Sequence, residues 1–340
     1  MTWRMPAEGV AQDRVWMAYP VAGYSLGDTE AEHDEARSTW AAVAHAIADF
    51  EPVTVIVDPG ERAAAKRYLS GDIDLVEAPL NDAWARDIGP TFVLDEQRRL
   101  GAVDWVFNGW GAASWARWDA DQHIARLIAE LSGAELIDSP MINEGGGIQV
   151  DGEGTVLVTE SVQLGEGRNS DWTPQQVEAE LARTLGTSTT IWLPYGLTRD
   201  NEEFGTRGHV DIVAALPSPG VMLLHAQNDP AHPDFAVSQE LRRLLSTQVD
   251  AAGRPFDIID VPAPAVLRDN EGFVDYSYIN HLVINDAVIA CAYADPHDAM
   301  AVDILAQAYP GRQVRTVDAR PLFARGGGIH CITCQQPSST

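Results

Sequence analysis

The sequence predicts a mixed α/β protein in which about five similar hairpin–helix–strand units close into a ring around a central site. Short β-branched apolar runs bounded by Pro or Gly, which are typical of strands, alternate with longer stretches of helical spacing. The same order of elements recurs with a period of roughly 60 to 70 residues. A doubly wound parallel sheet is the alternative, although its crossovers would not need a hairpin in every unit.

The first unit is the least regular of the five. It consists of the segment VWMAYP, a long helix that ends near Phe50, and the strand VTVIVD. Within the helix, Trp40, Val43, Ala44 and Ile47 lie at the spacing of a single helical face. This spacing predicts that the face is buried.

Four more regular units follow, each with a hairpin, a helix and a strand. The second has the hairpin TFVLDEQRRLGAVDWVF, a helix near residues 121–131 and the strand ELIDSP; the third has IQVDGEGTVLV, a helix after Pro174 and TIWLP. The fourth has HVDIVAALPSPGVMLLHA, a helix near residues 234–245 and FDIIDVP; the fifth has HLVINDAVIACAY, a helix near residues 297–309 and QVRTVDA. We interpret residues 1–340 as a single domain with a short polar tail at 336–340.

The composition excludes several classes of protein. Hydrophobic residues make up 45% of the chain, which is too large a share for a disordered protein. The formal net charge of −27 has the wrong sign for nucleic acid or for an anionic membrane surface, so we expect neither as a partner. An acidic surface attracts cationic solutes instead, although solubility alone would also account for it.

The cysteine count and the absence of long apolar runs predict the compartment. Three cysteines in 340 residues are too few for a disulfide framework. The first residues lack a basic start followed by an apolar run, and no window approaches about 18 uninterrupted apolar residues. We therefore expect a soluble, reduced, cytoplasmic protein.

Polar and glycine-rich stretches stand at the junctions between the units. They are WARDIGP (84–90), NEGGGIQVDGEGT (143–155), TRGHVD (206–211) and GGGIHCITCQQP (326–337). In a ring, equivalent junctions meet near one end of the axis. Residues that are far apart in the sequence would then line a single pocket.

His209 and Asp211 are separated by one residue on a predicted strand, so both side chains point to the same face. This spacing suits a metal site or a base beside a carboxylate. A buried histidine bonded to a carbonyl group, beside an aspartate in a turn, is the simpler explanation of an isolated H-x-D. The chain has no HExxH, paired CxxC or His-rich segment, so a metal site is weakly supported, and we predict no metal and no cofactor.

Cys331 follows the three glycines at 326–328, whose freedom of backbone conformation suits a nucleophile held at a pocket wall. A lone cysteine is otherwise more often an inert core residue, because reactivity needs a thiol pKa lowered by nearby positive charge. Cys334 completes a C-x-x-C with Cys331. It could form a reversible disulfide with Cys331, or it could fill the core as a small apolar side chain.

Asp87 and Glu144 would form an anionic wall if both side chains face the pocket. Carboxylates around a planar ligand suit a guanidinium group, which presents several N–H donors in one plane. Taken alone, each acid is more simply explained as a turn or cap residue.

The motifs WARD-x-GP, EGGG-x-x-VDGEGT, GHVD and GGG-x-HC-x-T together resemble the agmatine deiminase family of penteins, which includes bacterial peptidylarginine-deiminase-type enzymes. The resemblance extends from MPAEG near the start to HCITCQQP near the end. It implies a five-bladed α/β propeller of ββαβ units and one catalytic domain over residues 1–340. It also implies metal-free, cysteine-dependent hydrolysis of a guanidine, with agmatine and water giving N-carbamoylputrescine and ammonia.

The resemblance implies a role for each motif residue. Asp87 and Asp211 would hold the guanidinium nitrogens, and Cys331 would attack the central carbon. His209 would protonate the departing ammonia and then activate water, while Glu144 would bind the substrate and orient His209. Fixed carboxylates would align a poor electrophile with the sulfur, and the positive charge of the substrate would favour the thiolate.

The neighbours of these residues depart from the family pattern. The departures are Ile88, Gln149, Arg207, Ile212, Gly328 and Cys334. Trp84, which opens the first motif, and Arg207 are predicted to contact the substrate. If Arg207 faces the pocket, it would repel the ammonium group of agmatine and favour a neutral or carboxylated tail; if it faces outward, it would have no such effect.

Three alternatives to agmatine hydrolysis stay open. The chain could hydrolyse a different guanidino compound, such as a guanidino acid or a modified arginine. It could transfer the amidino group to an amine, or bind cations without catalysis on the same scaffold. We expect a small cationic guanidino compound as the substrate, and the sequence leaves open whether the chain forms a homo-oligomer.

Overall fold

Five small β-sheets contain the named strands of the protein, and all of them follow one pattern. In this computed structural model, which describes residues 2–340, four sheets have three strands and one has four. In each sheet an antiparallel pair is extended by a strand that runs parallel to the second member of the pair. The connection to that parallel strand contains a helix. The predicted hairpin–helix–strand order is therefore confirmed, and the doubly wound alternative is wrong because the sheets are separate.

The strands and helices have the following bounds. In the order in which they pair, the strands are β16 (Thr333–Pro337), β1 (Gln12–Ala18), β2 (Val53–Val57) and β3 (Asp74–Glu77); β4 (Thr91–Leu94), β5 (Leu100–Val106) and β6 (Glu135–Ile142); β7 (Gln149–Val150), β8 (Thr155–Thr159) and β9 (Thr189–Leu193); β10 (Ala214–Ser218), β11 (Val221–Ala226) and β12 (Asp257–Pro262); β13 (Leu282–Val283), β14 (Ala287–Ala292) and β15 (Gln313–Asp318). The helices are α1 (Glu30–Ala48), α2 (Arg62–Tyr68), α3 (Ala85–Ile88), α4 (Gly109–Ala112), α5 (Ile124–Ser132), α6 (Glu160–Gln163), α7 (Pro174–Leu185), α8 (Asp234–Leu245), α9 (Asp298–Ala308) and α10 (Arg320–Phe323).

Local capping residues explain where the longer helices begin and end. Thr29 and Glu32 form a reciprocal capping box at the start of α1, and the predicted apolar face of this helix is buried. Thr173 caps α7, Pro174 occupies its first turn, and Gly186 ends it in the left-handed conformation, with φ 67°.

The first unit differs from the prediction in three ways. The antiparallel partner of β1 is β16 from the far end of the chain, and the unit gains α2 and the additional strand β3. Gln336 and Pro337, which we assigned to a polar tail, are buried and form the end of β16. The indole of Trp16 donates to the Gln336 side-chain oxygen at 3.0 Å, so this oxygen is paired although it is buried.

The segments that carry the candidate site residues have equivalent places in the five sheets. Helix α3 precedes β4, the turn Gly145–Gly147 precedes β7, and the turn Val210–Ile212 precedes β10. Asn280 stands two residues before β13, and Cys331 stands two residues before β16. Helix α3 contacts the turn Gly145–Gly147, which in turn contacts the turn Val210–Ile212. The segments that precede the first strand of each sheet thus bring distant parts of the chain together.

The apolar core follows the same organisation. A large cluster of buried residues draws on every sheet, and a smaller cluster lies between the second and third units, where α7 packs. Between residues 2 and 340, every helix is too short or too polar to cross a lipid bilayer.

Candidate active site

Cys331, which stands three residues after the glycine-rich segment 326–328, lines a small buried pocket. The side chain is 6% exposed, and Trp84, Asp87 and Trp110 also line the pocket. The sulfur lies 3.6 Å from Asp211 Oδ2. The structure therefore brings the predicted nucleophile next to two carboxylates that were predicted to bind the guanidinium group.

His209 and Glu144 form a buried pair in the same region. His209 Nε2 lies 3.3 Å from Glu144 Oε2, and Arg168 Nε donates to both oxygens of Glu144 at 3.0 Å. The side chains of Arg168 and Glu144 have no solvent exposure. The hydrogen bonds from Arg168 and the contact with His209 therefore fix the orientation of the Glu144 carboxylate beside the imidazole.

Asp87 approaches His209 from the other side. Its Oδ1 lies 3.9 Å from His209 Nδ1 and accepts a hydrogen bond from the Gly146 N–H at 3.0 Å. Its Oδ2 accepts from the Trp110 indole at 2.9 Å. Trp110 has left-handed dihedrals, φ 55° and ψ 49°, which cost about 1–3 kcal/mol for a residue other than glycine. A Cβ at Gly146 would lie 2.4 Å from His209 Nδ1, so only glycine allows the three groups to approach so closely.

Asp211 is hydrogen-bonded to a second imidazole, that of His330. His330 Nδ1 lies 2.8 Å from Asp211 Oδ2, and His330 Nε2 lies 2.8 Å from Glu8 Oε1. A ring that donates to two carboxylates carries a proton on both nitrogens. Burial and the Arg86 charge oppose this protonation, but Glu8 and Asp211 together raise the pKa of His330. Asp211 is therefore held in place as a carboxylate by a cationic neighbour.

Three polar atoms of the site are buried without a protein partner. Within residues 2–340, Arg168 Nη1, His209 Nδ1 and Asp211 Oδ1 form no hydrogen bond. Buried polar atoms are normally paired, and here one unpaired atom belongs to a carboxylate whose other oxygen touches the sulfur. Asp211 Oδ1, which is an acceptor, therefore marks where a ligand with N–H donors would bind.

The charges around His209 favour its protonated form. Burial lowers the pKa of the ring, but the Asp87 charge and the Glu144 hydrogen bond outweigh it and raise the pKa of His209 to about 9. Burial likewise acts against an ionised Glu144, yet the Arg168 charge and the His209 contact keep the pKa of Glu144 below its usual value. Near neutral pH the site therefore holds an imidazolium beside a carboxylate.

The charges around Cys331 have the opposite effect. Burial, followed by the charges of Asp211 and Asp87, raises the pKa of the Cys331 thiol well above its usual value. Burial also raises the pKa of Asp87. In the absence of a bound cation, the sulfur is therefore a neutral thiol, and a positive ligand between these carboxylates would favour the thiolate.

The cluster is not arranged to coordinate a metal. Among residues 2–340 no group of three or more His, Cys, Asp or Glu side chains has a suitable arrangement for a metal ion. Glu144 is already paired with Arg168, and Asp211 with His330, so a metal ligated by these carboxylates would have to displace a cationic side chain.

The two residues predicted to contact the substrate lie in different places. Trp84 is buried and lines the Cys331 pocket. Arg207 lines a neighbouring cavity, which shares Trp115 with the Cys331 pocket but does not include Cys331, and its Nη1 donates to the Glu166 carbonyl at 3.4 Å. Because the Arg207 charge is directed to this other cavity, it gives no reason to exclude a cationic substrate tail.

Cys334 faces away from Cys331. Its sulfur lies 3.4 Å from the Pro90 carbonyl oxygen and lines a cavity with Glu8 and Arg86 that does not include Cys331. All three cysteines are free and buried. The environment of Cys334 is that of a small buried side chain, one of the two alternatives left open by the sequence.

Three residues of the site were not identified from the sequence. Arg168 lies in an irregular connection and Trp110 in the short helix α4, and neither belongs to a motif. Asn280, whose Nδ2 lies 3.2 Å from the Cys331 sulfur, could have been found from the repeat itself. It immediately precedes the hairpin of the fifth unit, as the other motif residues precede theirs.

Comparisons with known proteins agree with this geometry. A model of the Porphyromonas-type peptidyl-arginine deiminase family matches residues 4–337. A Streptomyces coelicolor protein that is provisionally named an agmatine deiminase is 54% identical over 338 residues, covering 99% of both chains. The agmatine deiminase of Stutzerimonas stutzeri is 37% identical over 357 residues, covering 98% of this chain and 95% of its own.

A solved structure shows the same similarity at the level of the fold. The agmatine deiminase of Enterococcus faecalis superposes with a TM-score of 0.93 at 31% identity, covering 100% of this chain and 97% of that one. The five-sheet arrangement is thus the mixed α/β fold of these deiminases. The chain belongs to the Porphyromonas-type peptidyl-arginine deiminase family and, within it, groups with the agmatine deiminases.

Proposed function

We propose that the protein is an agmatine deiminase, a hydrolase that acts on a C–N bond of the guanidinium group and forms N-carbamoylputrescine and ammonia. The observation that carries this proposal is the convergence of one thiol, one imidazole and three carboxylates on a single buried site. Relatives named agmatine deiminase, which cover nearly the whole chain, support the choice of substrate.

In this proposal, Asp87 and Asp211 bind the guanidinium group on either side of the Cys331 sulfur. The unpaired Asp211 Oδ1 accepts one N–H group of the substrate, and Asp87, which the Trp110 indole holds in place, accepts others. Fixed carboxylates orient a planar cation and keep its central carbon in line with the sulfur. Trp84 forms part of the wall of this pocket.

The first half-reaction releases ammonia. The bound cation lowers the thiol pKa, and the displaced proton passes to solvent. The Cys331 thiolate attacks the guanidinium carbon and a C–S bond forms. His209, which is protonated at the outset because of Asp87 and Glu144, donates its proton to the departing nitrogen. The C–N bond breaks, and the carbon remains attached to sulfur as a cationic amidino-thioether.

The second half-reaction releases the urea product. Neutral His209 removes a proton from water, the water oxygen bonds to the carbon, and the C–S bond then breaks. The thiolate leaves with the electron pair of that bond, the second water proton passes to solvent, and His209 is again an imidazolium. Glu144 keeps the imidazole oriented through both steps by its contact with Nε2.

Substrate entry requires the mouth of the site to open. The enclosed space beside Cys331 is only about 20 Å³, which is about the room that one water molecule needs. Trp115 and Phe204 line its outer side, their rings 6.0 Å apart, and Phe204 is 47% exposed.

We also infer that the five sheets are the blades of a closed five-bladed propeller within one catalytic domain. Three features support this inference. The sheets share one strand order, the first and last strands of the chain pair with each other, and the segments before the first strand of each sheet meet at one site.

Ammonia release from agmatine, with identification of N-carbamoylputrescine, tests the proposed activity. Cys331→Ala should abolish turnover but still bind agmatine, which calorimetry would measure. Cys334→Ala is the matched control, because this cysteine lies three residues away and lines a different cavity; it should keep most of the activity. Full activity of Cys331→Ala would refute the proposed nucleophile.

The same assay separates the alternative activities. A panel of guanidino acids and modified arginines, compared with agmatine by kcat/KM, identifies the preferred tail. Addition of amines as acceptors should leave ammonia release unchanged if water is the acceptor. New N-amidino products in the presence of amines would show amidino transfer instead, and binding of agmatine without any turnover by the unaltered protein would leave only a cation-binding role.

A further inference from the structure

The side chain of Asn280 lies directly against the nucleophilic sulfur. Its Nδ2 is 3.2 Å and its Oδ1 3.5 Å from Cys331 Sγ, and the residue has no solvent exposure. The amide therefore contacts the reacting atom through both of its polar ends. A thiol could donate its proton to Oδ1, whereas a thiolate could accept a hydrogen bond from Nδ2.

Neighbouring backbone groups determine which end of the amide is which. The His330 N–H donates to Oδ1 at 3.0 Å, and Nδ2 donates to the Asp211 carbonyl at 3.4 Å. An N–H group needs an acceptor and a carbonyl group needs a donor, so a flipped amide would lose both bonds. Asn280 is thus held with its NH₂ group close to the sulfur.

The glycine at position 328 is part of this arrangement. A Cβ at Gly328 would lie 2.4 Å from Asn280 Oδ1, so any larger residue would push the amide away from Cys331. The glycine at this position, which departs from the family pattern, therefore allows the Asn280 amide to pack closely against the backbone next to Cys331.

The rest of the surroundings opposes a negative charge on the sulfur. Burial, Asp211 and Asp87 all raise the pKa of the Cys331 thiol, while a Gly328 backbone hydrogen bond and the Asn280 side chain lower it. Among these neighbours, Asn280 is the side chain that favours the thiolate. A hydrogen bond to a charged group is typically stronger than one between neutral groups.

We propose that Asn280 is a further catalytic residue, which stabilises the Cys331 thiolate by donating an Nδ2–H hydrogen bond to the sulfur. The amide keeps its own protons throughout, and the thiol proton passes to solvent. The same hydrogen bond stabilises the sulfur when it leaves the carbon in the second half-reaction. The place of Asn280 in turnover rests on the proposed function, but its effect on the sulfur does not.

Alkylation of Cys331 by iodoacetamide at pH 8 and at neighbouring pH values, without substrate, tests the effect on the sulfur, because the pH dependence of the rate reports the thiolate fraction whereas opening of the pocket changes the rate equally at every pH. Asn280→Asp keeps an acceptor for His330 but loses the donor, and Asn280→Ser loses the amide donor without adding charge. Loss of a hydrogen bond to a charged sulfur corresponds to about tenfold less thiolate. We expect both variants to be alkylated about tenfold more slowly, and kcat/KM for agmatine to fall at least as much.

The control is Asn285→Asp, which makes the same chemical change in the β13–β14 turn, where the amide bonds the backbone of Gln12; its alkylation rate should match that of the unaltered protein.

Two outcomes would overturn the proposal. The smaller serine side chain would expose the sulfur more, so a rate in Asn280→Ser that equals or exceeds that of the unaltered protein is one of them. A rate in Asn280→Asp within twofold of that of the unaltered protein is the other. If one variant fails to fold, judged by circular dichroism, the other decides. Failure of agmatine turnover in the unaltered protein would refute the proposed function but leave this alkylation test intact.

Discussion

Replacing Asp200 by asparagine should misplace His209, although Asp200 does not touch the imidazole ring. Asp200 is 4% exposed. Its Oδ2 accepts from Thr206 Oγ1 at 2.7 Å, from the Gly208 N–H at 2.8 Å and from the His209 N–H at 3.0 Å. Its Oδ1 accepts from the Thr206 N–H at 2.8 Å. One carboxylate therefore holds the whole backbone segment that carries the proposed general acid.

The size of the effect follows from these four bonds. An asparagine keeps a single carbonyl oxygen, which can replace Oδ2 and retain three bonds, but its NH₂ group then faces the Thr206 N–H. One bond is lost outright, and the other three lose the strengthening that a charged acceptor supplies, for a total of about 3–5 kcal/mol. Movement of residues 206–209 would relieve part of this cost. We therefore expect kcat/KM to fall by about 100-fold or more, mainly through kcat.

Steady-state hydrolysis and Cys331 alkylation should be measured on the same preparations. The matched control is Asp269→Asn, which weakens the partly exposed ion pair with Arg199, a neighbour of Asp200; such a pair is worth about 1 kcal/mol or less, and activity should stay within about threefold. Because Asp200 does not contact the sulfur, alkylation should be unchanged in Asp200→Asn. A kcat/KM within fivefold of the unaltered protein would refute the reasoning.

Three pH-dependent predictions follow from the ionised groups of the site. Burial and the charges of Asp211 and Asp87 hold the pKa of the Cys331 thiol well above its usual value, and turnover needs the thiolate together with an imidazolium, so kcat/KM should rise with pH until His209 loses its proton. Although burial opposes it, Asp87 and Glu144 raise the pKa of His209 to about 9, so this rise should end at about pH 9; a rise that ends near 6.5 would contradict this. The same interaction stabilises the fold fully below the unfolded pKa of about 6.5, and this contribution should disappear as pH rises through about 9, as urea unfolding would show. For Glu8, burial opposes ionisation, but His330 lowers its pKa from 4.5 to about 2, so its contribution is present above about 4.5 and is lost as pH falls through about 2. Glu8→Gln should therefore reduce the free energy of unfolding at pH 7 with a difference that shrinks below pH 4.5, and a constant difference across this range would count against the ionic contact.

The repeating units could be predicted because their signals are local. Short β-branched strands, the helical spacing in α1 and the turn residues of the hairpins each lie within a few neighbouring positions, and all reappear in the structure. Strand β3 was missed because its four residues are partly exposed and give no continuous apolar run. The pairing of β1 with β16 was missed for a different reason. It joins the two ends of the chain, and no local pattern specifies a partner so far away.

The site shows the same limit at the level of side chains. The motifs identified the residues that meet in the site. The directions in which the side chains of Arg207 and Cys334 point, however, depend on the local backbone conformation, which the motifs do not specify. Arg207 has a left-handed φ of 72°, and its guanidinium lines a different cavity from Cys331. Cys334 lies inside β16, whereas Cys331 precedes the strand. A C-x-x-C brings its sulfurs together readily on a helix, where positions three apart share a face, but not on an extended segment.

The pairing of β1 with β16 explains why both ends of the chain contribute to the candidate active site. Cys331 stands two residues before β16, and β16 is positioned by its register with β1, in which Met17 faces Thr333. Glu8 lies shortly before β1 and contacts His330, which in turn holds Asp211. The sulfur and the carboxylate beside it therefore reach their positions only after contacts of very long sequence separation have formed, and such contacts are slow to form because the intervening chain must first be ordered. A hydrolytic site of this design assembles together with the whole fold, since no single unit contains both the sulfur and the groups that control its charge.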